Sequence, residues 1–583
     1  MKVLGIHYGH NATVCLIENG TITFCQSEER LNRIKNSTGF PFLTLDYIYN
    51  HIAPPEAIDL AVVFQKTIYG YLHLKKHGFK SFQYGYYLRD ATLNGKSLKE
   101  RLKQTDLGWS LGLIKIAATE NDKSLQKEAH RYFTRSLKLP PEKVQYLDHH
   151  LAHAYSALLN TQDWGRALIF TLDGVGDWKC ATVNLYENGK LTALSTTDHR
   201  NSLGYYYSGT TAILGMKAEE HEFKVMGLAP YAKPTYYKPI TDELRKLLTI
   251  DADGNWVSRP TLNQLMPELE RVYRFQRFDN IAGAIQELTE ELIARWVRFW
   301  VEKTGCRNVA VAGGVFMNVK ACQKMAEMDT VDKLFVVPSA ADETTAVGCA
   351  VRGSMALAPQ TPVQPLRDLY LGMDFDDAKI EKAMAEMNAG ERYDVSRPEN
   401  INCKIGHLLA ENKIVARCSG RMEFGARALG NRSILANPSD RKNVQLINDA
   451  VKSRDFWMPF TPSILEDDMP RYVQNHERIF APYMCITFNS TPEARRDLPA
   501  ALHPKDFTVR PQCVRKDWNS DYYEIIRAFK DQTGIGGVLN TSFNLHGEPN
   551  VCSPVDAIRT VDNSGLAYLA MGSYLLAKRD NQP

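Results

Sequence analysis

The feature that most constrains the fold is an internal echo between two segments of the chain. One reads KVLGIHYGHNATVCLIENGTITFCQSEE from Lys2, and the other reads ALIFTLDGVGDWKCATVNLYENGKLTALSTTD from Ala167. Each has an apolar run, a polar turn with glycine, a second β-rich run, an Asn-Gly pair and a third β-rich run. The Asn-Gly pairs at 19–20 and 188–189 predict type I′ hairpins, because both central residues need a positive φ. Each segment is therefore predicted to be a strand, turn, strand, hairpin and strand.

Duplication of such a unit has a known use. Turns with several backbone N–H groups can cradle a phosphate or hold a catalytic side chain, and duplication places two of them face to face. This pattern resembles the sugar kinase, heat-shock protein and actin superfamily, which binds ATP between its halves. The alternative is that any two β-hairpins look alike, so the duplication needs support from elsewhere in the chain.

Support comes from a glycine pair between 281 and 356. A helical pattern from Ile281 is followed by the apolar run NVAVAG, the glycine pair Gly313 and Gly314, and a second helix. A strand, a loop and then Asp342 directly before another helix repeat the arrangement. Glycines let a ligand approach the backbone closely, and the N-terminus of the following helix favours anions.

Three histidines stand within five residues in the stretch YLDHHLAHAYSALL. Asp148 is predicted to cap a helix, which places His149 and His153 at i and i+4 on one face. This spacing lets two imidazoles share a metal ion, but it also arises by chance in histidines that only hydrogen-bond within a core. A zincin peptidase needs HExxH, and His150 stands where that glutamate would be. Peptidase chemistry is therefore disfavoured.

Length and charge narrow the class of protein. A chain of 583 residues predicts two large domains or three smaller ones. Its 70 basic and 67 acidic residues leave a net charge of +3, so neither nucleic acid nor a membrane surface is an expected partner. The 11 scattered cysteines favour reduced thiols. The start of the chain lacks a signal-peptide core and no apolar run is long enough to span a bilayer, so a cytoplasmic protein is expected.

Eight motifs occur in one order along the chain. They are GIHYGHNAT, DHHLAHAYSA, TLDGVGDW, EFKVMGLAPY, AGGVFMN, RMEFGARALGNRSILANP, VKSRDFWMPFTPSIL and NTSFNLHGEPNV. Together they resemble the O-carbamoyltransferases of antibiotic, toxin and nodulation-factor biosynthesis. The resemblance extends from Met1 to about Ala577, and the last three motifs are highly specific. The stretch of weakest resemblance, 65–139, is interpreted as a family-variable helical insertion.

The resemblance implies an α/β fold in two domains. The N-terminal domain, 1–357, is expected to be a duplicated ATPase-like domain similar to the tRNA threonylcarbamoyl transferase, with a bound metal. The C-terminal domain, 366–583, is expected to be a smaller YrdC-like α/β domain, after a linker rich in proline and small residues. Such enzymes use carbamoyl phosphate and ATP, with Mg(II), to form carbamoyl-adenylate. A hydroxyl of a small-molecule natural product then attacks this intermediate.

The resemblance also assigns a metal site. The family's ligands fall on two histidines and two aspartates of this chain, namely His149, His153, Asp173 and Asp342. Such a ligand set is compatible with Fe(II), Mn(II) or Zn(II), and the family analogy favours iron. The family often has Gly-Asp-Ala-Gly where this chain has Ala-Asp-Glu-Thr at 341–344, so Glu343 is an alternative fourth ligand. For His150 a structural role is expected.

The remaining site residues follow from the motifs. Arginine suits phosphate through its planar fork of donors, and lysine acts as a point charge. The candidates for the activation site, with Arg427 as the catalytic one, are Arg421, Arg427, Arg432, Lys452, Arg454, Arg510, Asn540, Ser542 and Asn544. The candidates for nucleotide binding in the N-terminal domain are Lys224, Gly313, Gly314 and Asn318. His10 matches a family histidine near the acceptor and is the candidate general base, a structural role being the alternative.

Two other functions compete with this interpretation. An ATP-dependent small-molecule kinase on the duplicated fold would explain the echo but would leave the C-terminal arginines unused. A nucleotide-switched binding module without enzymatic activity would make His149 and His153 structural. The sequence does not determine the acceptor alcohol, and the tyrosine-rich stretch 68–88 is either part of its pocket or a packed helix. A homodimer is the default for a cytosolic enzyme.

Overall fold

The chain divides into two compact units. The first comprises Met1–Ala321 and Met328–Pro365, and the second comprises Cys322–Glu327 and Leu366–Pro583. The computed structural model describes residues 1–65, 67, 69–77, 82–83, 122–474 and 479–579.

Strands of the first unit form two large sheets and two small ribbons. They are β1 (Lys2–His7), β2 (Thr13–Glu18), β3 (Thr21–Ser27), β4 (Ser37–Thr38), β5 (Leu60–Phe64), β6 (Phe82–Gln83), β7 (Val144–Leu147), β8 (Arg166–Gly176), β9 (Lys179–Glu187), β10 (Lys190–Asp198), β11 (Leu248–Ile250), β12 (Trp256–Ser258), β13 (Asn308–Ala312) and β14 (Lys333–Val336). Among the described residues, the large sheets have the orders β3-β2-β1-β5-β7 and β10-β9-β8-β13-β14, and the ribbons pair β4 with β6 and β11 with β12.

The two large sheets share one topology. In each, three consecutive strands form an antiparallel meander, and the first of the three pairs in parallel with a later strand. A further parallel strand completes each sheet. Asn19 and Asn188 have positive φ, as do the glycines that follow them, which a type I′ turn requires. The duplication predicted from the sequence is confirmed by strand order and turn conformation.

Helices flank these sheets. Those that begin before residue 350 are α1 (Glu29–Asn32), α2 (Phe42–His51), α3 (Tyr69–His77), α4 (Lys123–Leu137), α5 (His149–Leu158), α6 (Leu203–Ile213), α7 (Glu222–Leu228), α8 (Pro234–Leu247), α9 (Leu262–Tyr273), α10 (Phe278–Thr304), α11 (Val319–Ala326) and α12 (Glu343–Leu357). Asp148 accepts a hydrogen bond from the Leu151 amide at 3.1 Å, which confirms the predicted N-cap of α5. Helices α5 and α12 pack so closely that a Cβ on Gly348 would lie 1.7 Å from the Ala152 carbonyl oxygen.

Only part of the stretch interpreted as an insertion is described. Helices α3 and α4 and strand β6 belong to it. Residues 78–81 and 84–121, which include part of the tyrosine-rich stretch, lie outside the described residues.

The second unit is built on one eight-stranded sheet. Its strands are β15 (Tyr393–Ser396), β16 (Val415–Cys418), β17 (Arg432–Ala436), β18 (Thr461–Leu465), β19 (Gln512–Val514), β20 (Gly537–Ser542), β21 (Tyr568–Met571) and β22 (Tyr574–Lys578). Among the described residues their order is β15-β22-β21-β16-β17-β20-β18-β19. The helices are α13 (Asp377–Glu386), α14 (Ala389–Arg392), α15 (Ile401–Ala410), α16 (Lys442–Ile447), α17 (Met469–Tyr472), α18 (Pro492–Asp497), α19 (Ser520–Thr533) and α20 (Pro554–Asp562).

Apolar clusters cover both faces of that sheet. Ile434 belongs to one cluster and Leu435 to the other, and neighbouring residues of a strand face opposite sides. The second unit is therefore a layered α/β structure. The predicted fold class, a duplicated α/β unit followed by a smaller α/β unit, is confirmed.

Among the described residues, no helix combines the length and the apolar character that crossing a membrane requires.

Candidate metal cluster and anion site

Two imidazoles and two carboxylates converge in the first unit. They are the four predicted metal ligands, His149, His153, Asp173 and Asp342. Each residue offers one ligand atom, and these four atoms all lie within 4.8 Å of one another. Asp173 Oδ2 is 3.4 Å from Nε2 of His149 and 3.1 Å from Nε2 of His153. Asp342 Oδ1 is 3.7 Å and 3.6 Å from the same two nitrogens. We call this group the His/Asp cluster.

Three separate elements present the cluster. The two histidines stand one turn apart in α5, Asp173 lies in β8, and Asp342 directly precedes α12. The Gly174 amide donates to Asp173 Oδ1 at 2.7 Å, which leaves Oδ2 directed at the imidazoles. A Cβ on Gly176 would lie 2.1 Å from the His149 ring, so glycine is required beside that ligand.

Burial and charge oppose each other in the cluster. His149 and His153 are 2% and 0% exposed, which disfavours their charged forms. Asp173 and Asp342 outweigh this penalty and raise the pKa of both imidazoles, that of His153 to about 9. Although burial acts in the other direction, the imidazoles hold the pKa of Asp173 well below its usual range. A divalent cation would replace the protons that these carboxylates favour on the imidazoles, so the donor set fits a metal ion.

Two neighbours of the cluster have other partners. Glu343, the alternative fourth ligand, accepts a hydrogen bond from Ser339 and is not a member of the convergent group. His150 Nδ1 lies 2.8 Å from Thr171 Oγ1. Burial and the charges of His149 and His153 lower the pKa of His150 to about 3. His150 is a neutral interior residue.

The predicted nucleotide-binding glycines lie against Asp173. A Cβ on Gly314 would be 3.1 Å from Asp173 Oδ1. Gly313 has a φ of +108°, and a Cβ on it would be 2.3 Å from the Leu172 carbonyl oxygen. The glycine pair therefore permits close approach of backbone to the carboxylate that both imidazoles share.

Asn318 and Lys224 have partners of their own within the unit. The Asn318 side-chain amide exchanges hydrogen bonds of 2.9 and 3.0 Å with that of Gln286, so its polar atoms are engaged in the interior. Lys224 lies in α7 and, after burial, is the main charge that lowers the pKa of His221 to about 4.

His10 lies in the turn after β1, where it forms an isolated bridge with Thr38. Burial lowers the pKa of its imidazole, while the charges of Asp342 and, more weakly, Asp173 oppose that shift. A neutral imidazole near the His/Asp cluster is able to accept a proton. Sequence reasoning missed His7, whose ring lies 2.6 Å from the His10 carbonyl oxygen and 2.7 Å from Thr345 Oγ1. The signal for it was a histidine ending a buried strand three residues before His10.

The positive charges of three predicted arginines of the second unit act on one another. We call these residues the arginine cluster; they are Arg427, Arg454 and Arg510. Burial and then the charge of Arg427 lower the pKa of Arg454 to about 10. Burial, Arg427 and Arg454 also lower the pKa of Arg510. Arg454 donates to the uncharged Thr541 hydroxyl at 2.8 Å. Within the part of the chain that the structure describes, no carboxylate is among the charges that shift the pKa of Arg454 or Arg510. Mutual repulsion of this kind favours binding of an anion.

A buried glutamate holds the loop that presents Arg427. Glu423 is 3% exposed, and its Oε1 accepts hydrogen bonds from the amides of Leu429, Asn431 and Arg432 at 2.8, 2.7 and 3.1 Å. Asn540 donates to the Ala428 carbonyl at 3.0 Å. These hydrogen bonds therefore tie the backbone that follows Arg427 to Glu423 and to Asn540. Sequence patterns do not single out Glu423, because its three donors are backbone amides.

Two other predicted arginines have their donors occupied by backbone carbonyls. Arg421 donates to the carbonyls of Gly372 and Leu371 at 3.2 and 2.8 Å. Arg432 is 1% exposed and donates to the carbonyls of Cys552, Ser419, Gly420 and Asn431 at 3.0 to 3.1 Å. These two guanidinium groups hold the loop together.

The predicted lysine forms a polar trio. Lys452 Nζ lies 2.7 Å from Asn544 Oδ1 and 3.1 Å from Ser542 Oγ. Ser542 also donates to Asn544 at 2.6 Å. Ser542 ends β20, the strand that also carries Asn540 and Thr541, so the trio and Arg454 share a strand end.

Fold and sites together define a two-unit α/β protein in which two imidazoles and two carboxylates converge in one unit and three arginines repel one another in the other. The chain belongs to the carbamoyltransferase family. The profile of the carbamoyltransferase N-terminus matches residues 2–351, and that of the carbamoyltransferase C-terminus matches residues 406–578. The resemblance read from the eight motifs is thereby confirmed.

Relatives support this assignment. The chain is 30% identical to the nodulation protein NolNO of Sinorhizobium fredii, over 98% of this chain and 80% of the relative. It is 32% identical to the nodulation protein NolO of Bradyrhizobium diazoefficiens, over 74% of this chain and 79% of the relative. Component A of (R)-2-hydroxyglutaryl-CoA dehydratase from Acidaminococcus fermentans matches 61% of this chain and 99% of its own, with 14% identity and a TM-score of 0.34. That last likeness is too distant to inform chemistry.

Proposed function

We propose that the protein is an O-carbamoyltransferase that forms carbamoyl-adenylate from carbamoyl phosphate and ATP and transfers the carbamoyl group to a hydroxyl of a small-molecule natural product. Family membership supports carbamoyl transfer. The observation that carries the two-site scheme is the opposite character of the two clusters. Two carboxylates meet two imidazoles in the first unit, and three arginines repel one another in the second.

Activation is assigned to the second unit. Carbamate is a poor electrophile, because its nitrogen donates electrons into the carbonyl group. Carbamoyl phosphate first yields carbamate and phosphate by hydrolysis. A carbamate oxygen then attacks the α-phosphorus of ATP, and pyrophosphate leaves with the electrons of the broken P–O bond. The arginine cluster supplies charge-assisted hydrogen bonds to these phosphates, Lys452 adds a point charge, and Mg(II) accompanies the nucleotide.

Transfer is assigned to the first unit. The acceptor oxygen attacks the carbamoyl carbon, AMP leaves with the electrons of the broken C–O bond, and the hydroxyl proton moves to the imidazole of His10. The His/Asp cluster would hold a divalent ion, for which the family analogy favours Fe(II) over Mn(II) or Zn(II). When bound, such an ion polarises a carbonyl or phosphate oxygen. Every cysteine is a free thiol, which supports the proposed cytoplasmic location.

Pyrophosphate release tests the proposal. Wild-type protein incubated with ATP and carbamoyl phosphate is expected to release pyrophosphate and form carbamoyl-adenylate, which yields AMP once water or an alcohol takes the carbamoyl group. A small-molecule kinase would instead form ADP, and a binding module would release neither product. Absence of pyrophosphate at saturating concentrations of both substrates would contradict the activation chemistry.

A second experiment separates transfer from activation. With radiolabelled carbamoyl phosphate and glycerol as a surrogate alcohol, wild type is expected to form glycerol carbamate. His10→Asn should keep pyrophosphate release and lose most of this product, because general bases contribute about 100- to 10,000-fold. Undiminished carbamate formation in that variant would leave His10 only a structural role.

A further inference from the structure

His7 lies at the end of β1, between the first turn and helix α12. Its side chain is 0% exposed, and its ring centroid is 3.9 Å from that of Phe64. Both ring nitrogens nevertheless have polar partners. Nε2 is 2.6 Å from the carbonyl oxygen of His10, and Nδ1 is 2.7 Å from the hydroxyl oxygen of Thr345.

These two contacts determine where the single proton of a neutral ring lies. Burial lowers the pKa of His7 to about 3 against the opposing charge of Asp342, so the ring is neutral. The His10 carbonyl only accepts hydrogen bonds, so Nε2 carries the proton. Nδ1 is then an acceptor, and its donor is the Thr345 hydroxyl, which also contacts the Asp342 carbonyl oxygen at 2.8 Å.

The contacts join two parts of the transfer site. Thr345 lies in the first turn of α12, three residues after Asp342, the carboxylate that faces both cluster imidazoles. On the opposite edge of the His7 ring, Nε2 contacts the backbone carbonyl oxygen of His10. A Cβ on Gly9, between the two histidines, would lie 3.2 Å from both His7 Nε2 and Phe64, so the turn packs directly on the ring.

We propose that His7 is a positioning residue that ties the backbone of His10 to the turn presenting Asp342, and thereby sets the His10 imidazole beside the His/Asp cluster. This inference rests on the proposed function, since it takes His10 as the proton acceptor of the transfer step. A ring that only filled the core would need neither polar contact, and an aromatic ring of similar size would replace it. A variant side chain that keeps an N–H donor at the position of Nε2 therefore distinguishes a positioning role from a core-filling role.

Matched amide variants test the proposal. His7→Gln extends an amide N–H towards the position of Nε2 and so keeps a donor for the His10 carbonyl. His7→Asn reaches only the level of Nδ1 and loses that donor. His7→Phe keeps the ring and loses both contacts. We expect His7→Asn and His7→Phe to lower kcat for glycerol carbamate formation by about 10- to 100-fold with little change in the glycerol KM. His7→Gln should recover most of the activity.

Pyrophosphate release belongs to the second unit and should be the same in all three variants. Wild-type kcat in His7→Asn or His7→Phe would overturn the proposal. If those variants fail to fold, His7→Gln decides, because a folded and inactive glutamine variant would overturn it equally.

A spectroscopic measurement is independent of activity. In protein labelled with ¹⁵N at histidine, the resonance absent from His7→Gln should show the Nε2–H pattern unchanged from about pH 5 to about pH 8. An Nδ1–H pattern, or titration in this range, would overturn the assignment. If wild type makes no glycerol carbamate, the transfer step of the proposed function is contradicted, and the tautomer is still decided by this spectrum.

Discussion

The His/Asp cluster and the arginine cluster differ in how many of the residues predicted from the motifs lie close together in the structure. All four residues assigned to the first come together within 4.8 Å. In the second unit, Arg427, Arg454 and Arg510 influence one another, whereas Arg421 and Arg432 donate to backbone carbonyls. An imidazole or carboxylate offers few polar atoms, but a guanidinium offers five donors that backbone can use as readily as a ligand. A motif arginine is therefore weaker support for a ligand site than a motif histidine beside an aspartate.

Removal of one imidazole should break the first cluster completely. Wild type is expected to contain about one transition-metal ion per chain, and His153→Ala to contain none, because a buried site that loses a ligand cannot compensate from solvent. His150→Ala should keep the metal, at a cost of about 1–3 kcal/mol to folding from the lost bond to Thr171. Elemental analysis of the three proteins checks this. A metal-free wild type, or metal loss only in His150→Ala, would sink the assignment.

Loss of Arg427 should break the second cluster. Arg427→Ala is expected to lower pyrophosphate release by on the order of 100- to 1,000-fold, as for other preorganised donors to developing charge. The control is Arg527→Ala, which removes an exposed arginine paired at 3.0 Å with Asp531 one turn away. Steady-state release by both variants is the measurement. Equal rates in the two would remove the arginine cluster from the activation site.

Arg432→Met tests whether arginines that donate to backbone carbonyls differ in role from those of the arginine cluster. The substitution leaves backbone carbonyls of a buried loop without their donor, so it should destabilise the second unit by about 3 kcal/mol or more. Chemical denaturation followed by fluorescence measures this. Pyrophosphate release per folded molecule is expected to fall less than in Arg427→Ala, because Arg432 acts through the loop that presents Arg427. Normal stability with abolished release would instead identify Arg432 as a ligand-binding residue.

Chelation should give the smallest effect. A metal ion that binds the folded state but not the unfolded state stabilises the protein by mass action. The gain in the free energy of unfolding is about 2.7 kcal/mol when the free ion is at one hundred times its Kd. Treatment with a chelator is expected to lower the melting temperature of wild type by a few degrees and to leave that of His153→Ala unchanged. Calorimetry of both proteins makes the comparison. A chelator effect of equal size on the variant would place the responsible ion elsewhere.

Local sequence patterns predicted the elements that position the sites. The Asn-Gly pairs specified the two hairpins, and Asp148 specified the start of α5. The i, i+4 spacing then placed both histidines on one face of that helix. These predictions depend on interactions within a few residues, so neighbouring residues are sufficient to make them.

Sequence by itself determined the duplicated strand pattern, the helix that carries the histidine pair and, through its motifs, the family. Tertiary structure decided between Asp342, the carboxylate that the family resemblance assigned, and its neighbour Glu343, which accepts a hydrogen bond from Ser339. It also decided that Arg421 and Arg432 donate to backbone carbonyls, and it placed His7 between His10 and Thr345. The physical reason is that these outcomes depend on tertiary packing, which joins Arg432 to Cys552 across 120 residues and His7 to Thr345 across 338. No local pattern encodes which distant backbone group will meet a given side chain once the sheets and helices have packed.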